Sequence, residues 1–458
     1  MQNEHPPTDR RKLSLLKKAS YAGFAAGAIV LVCVLALLLF PDPLVNRFIK
    51  PRITKAFAEA YPAYSIRIAD MNYSLLKNRF GFDSVALRAV DGTFSSNMGS
   101  FSVSGIRWMH LLWGGNLAPN DFASSVVDAK DIVLKLPQSQ YELRCKRLRV
   151  SVPDSEIVAE ALELHPLMDD EQFFAGSKFR RTRFRLVIPR CRVVGSACLE
   201  LLQGKIYCAR SGQVNDAFLD VLVNMDQLAS GDSSSLLMPN EILSSMKETI
   251  QVHSLNIING RLKYAERYAV GSEPAVITVD SIQVLAEGIA NHADRGAALI
   301  IHAQGNFMKA ATVNVLISIP VASPEFSFQY SGSMSSMDLS VLNSFLEPAE
   351  QMRIKAGVLQ EATFEINVDS GRASGNVRAV YRDLAIAAVS KGTGSEKGIV
   401  EKTTSLLAKT FKIRGTNVPD ASGSMKVGEV KYTRKQDVTF FRFVWSALRS
   451  GVGDVVGF

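Results

Sequence analysis

The feature that most constrains the fold is a two-residue periodicity that runs through most of the chain after its first 62 residues. In the segment ATFEINV, Phe364, Ile366 and Val368 alternate with Glu365 and Asn367. Successive side chains of a β-strand point to opposite faces, so such a strand is apolar on one face and polar on the other. The chain is therefore predicted to be mainly β.

Roughly twenty segments of this kind, bounded by Gly, Asn, Asp or Pro, satisfy the rules for strands. A sheet that is apolar on one face only is typical of antiparallel pairing, because parallel sheets usually bury both faces. So many half-apolar strands need cover for their apolar faces. We therefore expect an elongated, curled antiparallel sheet, either groove-like or sandwich-like.

Few segments have helical spacing, and three short helices are predicted after the first 62 residues. One is PNEILSSMKETI from Pro239 to Ile250, and another is SEKGIVEKTTSLLAKTF at 395–411. The third, MDLSVLNSFLEP, is expected to be capped by Asp338 and stopped by Pro348. Asn259 and Gly260 are predicted to form a two-residue hairpin turn, with RLKYAE as the returning strand.

The segment from Ala19 to Phe40 has 22 residues without a charge. At about 1.5 Å per helical residue it is long enough to cross the hydrocarbon core, and no small-x-small cleavage site follows it. It is predicted to be a transmembrane anchor with its N-terminus inside, because a long downstream domain is translocated largely regardless of charge. The predicted divisions are a cytoplasmic tail at 1–18, the transmembrane helix at 19–40, a juxtamembrane helix at 41–62, β-rich regions at 63–230 and 231–392, and a capping segment at 393–458.

Charge and motifs narrow the functional class. The net charge of +8 is spread along many segments, whereas nucleic-acid binding favours a focused basic patch with stacking aromatics. No HExxH, GxSxG, Walker A or helix-opening GxGxxG motif occurs, and the six histidines are scattered. The acidic run at 169–171 is interpreted as a surface turn and not as a cation site. We therefore expect a protein that is not an enzyme, with no metal, no cofactor and no nucleic-acid partner.

Four cysteines follow the predicted span, and two interpretations of them stay open. In an oxidising compartment an even number can form two disulfides. The alternative is that they are small apolar residues on strand faces. The residues are Cys145, Cys191, Cys198 and Cys208.

The aromatic-rich C-terminal segment DVTFFRFVWSALRSGVGDVVGF also has two interpretations. It is too short and too interrupted to be a confident membrane span. One hypothesis is that it contacts a membrane surface or a partner. The favoured alternative is a final strand and helix that cap the sheet.

Longer stretches resemble a known family. A single N-terminal span precedes a long series of β segments that includes LELHPLMDDEQFFAG, ELLQGKIYCARSGQV and PNEILSSMKETIQVHSLNIINGRLKYAER. The stretch GSMSSMDLSVLNSFLEPAEQMRIKAGVLQEATFEINVDSGRASGNVRAVYRDLAI is similar to the repeating unit of the AsmA-like superfamily. The resemblance extends over roughly residues 20 to 450 and depends on pattern, without an invariant catalytic motif.

The resemblance implies a protein anchored in the inner membrane of Gram-negative bacteria, with the bulk of the chain periplasmic. Its sheet would bind or conduct phospholipid between the inner and outer membranes and support outer-membrane biogenesis. The alternative function is a scaffold or assembly factor that recruits envelope or outer-membrane proteins through an exposed sheet edge. The candidate groove residues, for each of which a closed core is the competing interpretation, are Leu262, Tyr264, Phe326, Phe328, Phe364, Ile366, Val377 and Tyr381.

Overall fold

The computed structural model describes residues 42–107, 119–202, 206–228, 241, 245–246, 248–292, 297–321, 325–389, 413–435 and 438–457. The predicted transmembrane segment at 19–40 and the predicted helix at 395–411 lie outside these residues, as does part of the predicted helix at 239–250. Across the ranges just given, no helix is both long enough and apolar enough to span a bilayer.

The described residues form one sheet of 18 strands. The strands are β1 Tyr64–Ser74, β2 Arg79–Ala89, β3 Ser95–Ser104, β4 Val126–Leu136, β5 Tyr141–Ser151, β6 Glu156–Pro166, β7 Thr182–Val194, β8 Ile206–Asn215, β9 Phe218–Asn224, β10 Thr249–Arg267, β11 Ala275–Ala290, β12 Ala298–Phe307, β13 Ala311–Pro320, β14 Phe328–Met334, β15 Met337–Asp338, β16 Met352–Asp369, β17 Arg372–Ala388 and β18 Gly428–Thr433. The prediction of a mainly β chain is confirmed.

The helices are short and lie between or beside the strands. They are α1 Lys50–Ala60, α2 Asp170–Ala175, α3 Cys198–Leu202, α4 Asn343–Glu350 and α5 Phe440–Val456, with further helical turns at Asp42–Leu44, Val45–Ile49, Pro119–Phe122 and Leu339–Leu342. The expected Asp338 cap is present, since its carboxylate accepts a hydrogen bond from the Ser340 amide. The expected stop at Pro348 is wrong, because α4 continues to Glu350 and ends where Gln351 has φ of 55°.

Strands that follow each other in the chain mostly pair with each other, and all pairings but those of β10 with β8 and β9 are antiparallel. From β1 to β7 each strand pairs antiparallel with the next, as do β10 to β14 and β16 to β18. β8 and β9 follow each other along β7 and both pair parallel with β10. The expectation of a wholly antiparallel sheet is therefore wrong, and the sheet is mixed. The predicted regions on either side of residue 231 share this one sheet.

The strands change direction at one level of the sheet, which we call the crease. On β2 the pairs Asp83–Ser100 and Val85–Met98 bracket a residue with φ of 49°, Ser84, without shifting the register. Equivalent left-handed residues lie at the same level on other strands. Gly99 on β3 lies between two of them, and a Cβ there would come within 3.1 Å of the Asp131 side chain. The left-handed residues of the crease are Ser84, Asp131, Ala161, Asp216, Asn259 and Ser281.

The crease corrects the prediction of a hairpin turn at Asn259 and Gly260. β10 runs without interruption from Thr249 to Arg267, and Asn259 is the left-handed residue in its middle. The side-chain Nδ2 of Asn259 donates to the Asp216 carboxylate at 2.6 Å, which joins the crease across the parallel pairing of β10 with β8 and β9. Asn tolerates the left-handed region better than most residues, so the same dipeptide suits a turn and a bend within a strand.

Both outer edges of the sheet are capped by side chains. On β1, the Asp42 carboxylate accepts from the Tyr73 amide, and the Asn46 side chain bonds both the amide and the carbonyl of Met71. On β18, two residues of α5 do the same: Asp454 accepts from the Glu429 amide and Ser450 accepts from the Lys431 amide. Capping residues four apart lie on one side of a helix, so each helix runs along its edge strand.

Helix α5 forms the largest core by packing on strands from β11 to β18. Phe443 is fully buried and contacts the rings of Phe326, Phe328 and Tyr432. Gly451 is required where it stands, because a Cβ there would lie 2.6 Å from the Val377 side chain. The described residues of the C-terminal segment thus form helix α5, which packs on the sheet as the capping interpretation expects. The last strand, β18, ends at Thr433, before this segment begins.

Truncating Phe443 should destabilise the fold far more than truncating its neighbour. Phe443→Ala leaves a cavity at the centre of this core and should lower the free energy of unfolding by about 3–5 kcal/mol. Phe441→Ala is the matched control, because Phe441 is 46% exposed on the same helix. Urea denaturation of the full-length chain gives both values, and equal losses would contradict the described packing.

The left-handed residues of the crease predict an unusual effect of glycine substitution on stability. Ala161 lies in the left-handed region at φ of 48°, which costs a non-glycine residue about 1–2 kcal/mol. Ala161→Gly should therefore leave stability unchanged or raise it. Ala159→Gly, two residues earlier on the same strand, should lower it by about 0.5–1 kcal/mol because ordinary strand positions disfavour glycine. Denaturation midpoints test the pair, and destabilisation of the same size at both positions would contradict the bend.

Candidate functional site

Every strand from β1 to β18, apart from the two-residue β15, presents apolar side chains to the same side of the sheet, which we call the apolar face. The crease preserves this face, because the apolar parity changes there: Ile66 and Ile68 precede it on β1, whereas Met71 and Tyr73 follow it. Pairing then carries the face from strand to strand. One row across four strands is Ile132, Cys145, Leu162 and Ile188, and the next is Leu134, Leu143, Leu164 and Leu186.

Helices cover the apolar face at its two ends. At the β1 end, Val45 and Ile53 pack with Ile68, Met71 and Val85. At the other end, α5 and α4 build the two largest clusters of buried apolar side chains. In the part of the chain that the structure describes, these helices therefore cover the apolar face at the ends of the sheet.

Between these ends lies a stretch of the apolar face that we call the central strip. Its aliphatic side chains are half-buried, and none belongs to a core cluster among the described residues. A closed core would bury such residues fully. The central strip consists of Val127, Ile132, Leu134, Leu143, Leu148, Val150, Ile157, Ala159, Leu162, Leu164, Leu186, Ile188 and Val193.

A cleft of about 1010 Å³ follows α5, between this helix, α4 and residues of β16 and β17, and we call it the helix cleft. Its floor and walls are mainly apolar, with Leu342 and Leu346 on one side and Trp445 on the other. Small-molecule sites usually have volumes of about 300–1,000 Å³ and predominantly apolar walls. The residues that α5 contributes recur mostly every three or four positions, as expected for one side of a helix: Arg442, Trp445, Ser446, Arg449, Ser450, Val452, Gly453 and Val456.

The rim of the helix cleft is mostly basic. Arg180, Lys435, Arg442 and Arg449 line it, and Glu350 is the acidic residue on the same rim. Arg449 bonds Glu350 at 2.7 Å across the cleft. The beginning of α5 combines three of the cations with an apolar wall, whereas its end is lined by Val456, Leu384 and Ile386. The cleft is thus basic near the beginning of α5 and apolar near its end.

Arg442 also fixes α5 to the opposite part of the sheet. Its guanidinium lies 3.0 Å from the carboxylate of Glu266 on β10, which is 3% exposed. The phenols of Tyr264 and Tyr268 donate to the same carboxylate. Burial, reinforced by the neighbouring Glu266, raises the pKa of both tyrosines well above their usual range, so both stay protonated donors.

The eight predicted groove residues all face the apolar side, but their surroundings differ. Leu262, Tyr264 and Phe364 are half-buried. The other five are buried in the clusters that α5 and α4 complete, so at these positions the face is covered. Those five are Phe326, Phe328, Ile366, Val377 and Tyr381.

The four predicted disulfide cysteines are free thiols in the structure. Cys145 and Cys191 lie on the apolar face of β5 and β7, and burial raises the pKa of both thiols. Cys198 is buried at the start of α3, and Cys208 is half-buried on β8. Buried thiols of raised pKa are unreactive, which fits the interpretation of small apolar residues.

The acidic run at 169–171 is used to dock α2 on the polar face. Asp169 caps the helix by accepting from the Gln172 amide, and Asp170 pairs with Arg183 and Arg185. No group of three or more metal-ligating side chains occurs in the described ranges.

Sequence reasoning missed the helix cleft and the Arg442–Glu266 pair. The two partners are 176 residues apart, and neither lies in a motif. The spacing of Arg442, Trp445 and Arg449 was the available signal, because it places a polar and an aromatic residue on one side of a helix.

The sequence matches no protein-family model and no curated protein. The resemblance to the AsmA-like superfamily therefore stays a prediction. Any function has to be argued from the apolar face and the helix cleft.

Removing one partner of the Arg442–Glu266 pair should lower the free energy of unfolding more than removing both partners. Arg442→Met leaves a buried carboxylate without its cation and should lower the free energy of unfolding by about 3–5 kcal/mol. Adding Glu266→Leu should restore much of that loss, since the unpaired charge is gone. Urea denaturation of the two variants and the parent measures this, and a double variant weaker than Arg442→Met would contradict the pairing.

Proposed function

We propose that this chain is a non-enzymatic, membrane-anchored protein that binds phospholipid on its apolar face and conducts it between the inner and outer membranes of a Gram-negative envelope. The observation that carries the proposal is the central strip, a half-buried aliphatic surface between two covered ends. Apolar surface of this extent needs an apolar occupant, because exposure to water costs about 25 cal/mol per Å².

The helix cleft supports a lipid occupant in particular. An acyl chain suits its apolar walls, and an anionic phosphate suits the cations at the beginning of α5. Arg449 is already paired with Glu350 at the rim, so this cation would exchange partners as a headgroup enters. Arg442 would keep its pair with the buried Glu266. A cavity for a neutral apolar ligand would not need this polarity.

Membrane attachment and compartment are proposed from the sequence alone. The uncharged segment at 19–40 is the proposed anchor, with the bulk of the chain in the periplasm. The single span and the chain-order β-sheet are compatible with membership of the AsmA-like superfamily, which we propose on the basis of the sequence resemblance. Support of outer-membrane biogenesis is part of the same proposal.

The alternative function, a scaffold that recruits envelope proteins through a sheet edge, fits the structure less well. Strand addition needs free amide and carbonyl groups on an edge strand. On β1 and β18, groups that an added strand would use are bonded to Asp42, Asn46, Ser450 and Asp454. A partner would first have to displace these side chains.

Adjacent residues on opposite faces of β7 provide a test. A photo-crosslinking amino acid at Ile188, on the central strip, should capture phospholipid in cells that produce the full-length chain. The same amino acid at Val187, which is 37% exposed on the polar face, should not. Mass spectrometry of the crosslinked products identifies what is captured. Equal capture at both positions, or capture of protein alone at Ile188, would refute lipid binding on the strip.

A further inference from the structure

The tip of the β1–β2 hairpin exposes two leucines in an ordered turn. Leu76 is 100% exposed and Leu75 is 48% exposed, and no other large apolar side chain in the described ranges is as open as Leu76. The turn is nevertheless held firmly, since the Asn78 amide bonds the Leu75 carbonyl and the Asn78 side chain bonds the Ile106 carbonyl. The fold therefore presents these leucines to the surroundings.

The tip lies where the chain leaves the described structure towards its predicted anchor. Asp42 accepts a hydrogen bond from the Tyr73 amide at 3.1 Å, two residues before Leu75. Phe40, the last residue of the uncharged segment at 19–40, is two residues before Asp42. A bilayer that contains this segment would therefore have its surface beside the hairpin tip.

Charge around the tip matches an anionic surface. Lys77 and Arg79 follow the two leucines and are exposed, and Arg47 lies on the helical turn beside β1. Phe48, next to Arg47, is 56% exposed. Leucine and phenylalanine beside lysine and arginine are the composition of segments that lie in a membrane interface. Each such cation near an anionic lipid surface adds to binding.

We propose that the β1–β2 hairpin tip inserts Leu75 and Leu76 into the interface of the bilayer that anchors the chain, with Lys77 and Arg79 at the phosphate level. The inference rests on the proposed anchor but does not depend on lipid binding by the central strip. The tip would fix the tilt of the sheet over the membrane, because an anchor helix and a hairpin make two points of attachment.

Fluorescence quenching by labelled lipid tests the insertion. Leu76→Cys and the control Val90→Cys each receive an environment-sensitive fluorophore in the full-length chain, which is reconstituted in vesicles of phosphatidylethanolamine and phosphatidylglycerol. Val90 is 73% exposed at the opposite end of β2, about 35 Å from the tip at ~3.4 Å per residue. The parent chain treated with the same label is the blank for the native cysteines.

Nitroxide-bearing phospholipid should quench the label at residue 76 several-fold more than the label at residue 90. Adding Leu75→Asp should lower the quenching at residue 76 towards the control value. Equal quenching at both positions in a chain that floats with the vesicles would overturn the insertion and leave the anchor intact. Failure of the chain to float would overturn the anchor and the insertion together.

Discussion

Apolar side chains cover one side of a single sheet from β1 to β18, and the rest of the structure depends on how that side is kept from water. Two helical segments solve the problem at the ends of the sheet. At the β1 end the turn containing Val45 packs beside Met71, and at the far end α5 places Phe443 among aromatic rings. Among the described residues no cluster of buried apolar side chains includes the aliphatic residues of the central strip, which is why we propose an occupant there.

The crease explains how so many strands bend together. An extra residue in one strand alone would normally shift its register and move its apolar set to the wrong face. Here left-handed residues recur at the same level from β2 to β11, and the strands stay paired on both sides of that level. The register shifts where β11 pairs with β10 and with β12. Gly99 lies between the left-handed residues Ser84 and Asp131, and Gly305 lies beside the crease on β12. At these glycines a Cβ would meet side chains at 3.1 Å and 2.7 Å respectively. The bend is thus shared by neighbouring strands and does not belong to one strand alone.

Much of the secondary structure was predictable because a two-residue period is local information. The alternation in ATFEINV and in FRRTRFRLVI identifies β16 and β7 directly. The Asn259–Gly260 pair was misread because the left-handed conformation is shared by a hairpin turn and the crease, and only the neighbouring strands decide between them. The parallel pairing of β10 with β8 and β9 was not predictable either, since it depends on which strand lies alongside after a long connection. The Arg442–Glu266 pair depends on contact between residues far apart in sequence, and single-sequence patterns carry no such information.

Backbone groups at the edges of the sheet are bonded to side chains, whereas apolar side chains on its surfaces remain accessible. Hydrogen-bonding groups on β1 and β18, which would invite another strand, are bonded to Asn46 and Asp454, as expected for a protein that resists edge-to-edge association. Apolar side chains, by contrast, stay half-buried on the central strip and exposed at Leu76. A sheet whose edge groups are bonded while apolar side chains remain accessible favours fluid apolar partners over added strands, because acyl chains need apolar area and no hydrogen bonds. Under our two proposals, lipid would occupy both surfaces through one chemistry, whereas a protein partner would need two unrelated recognition sites.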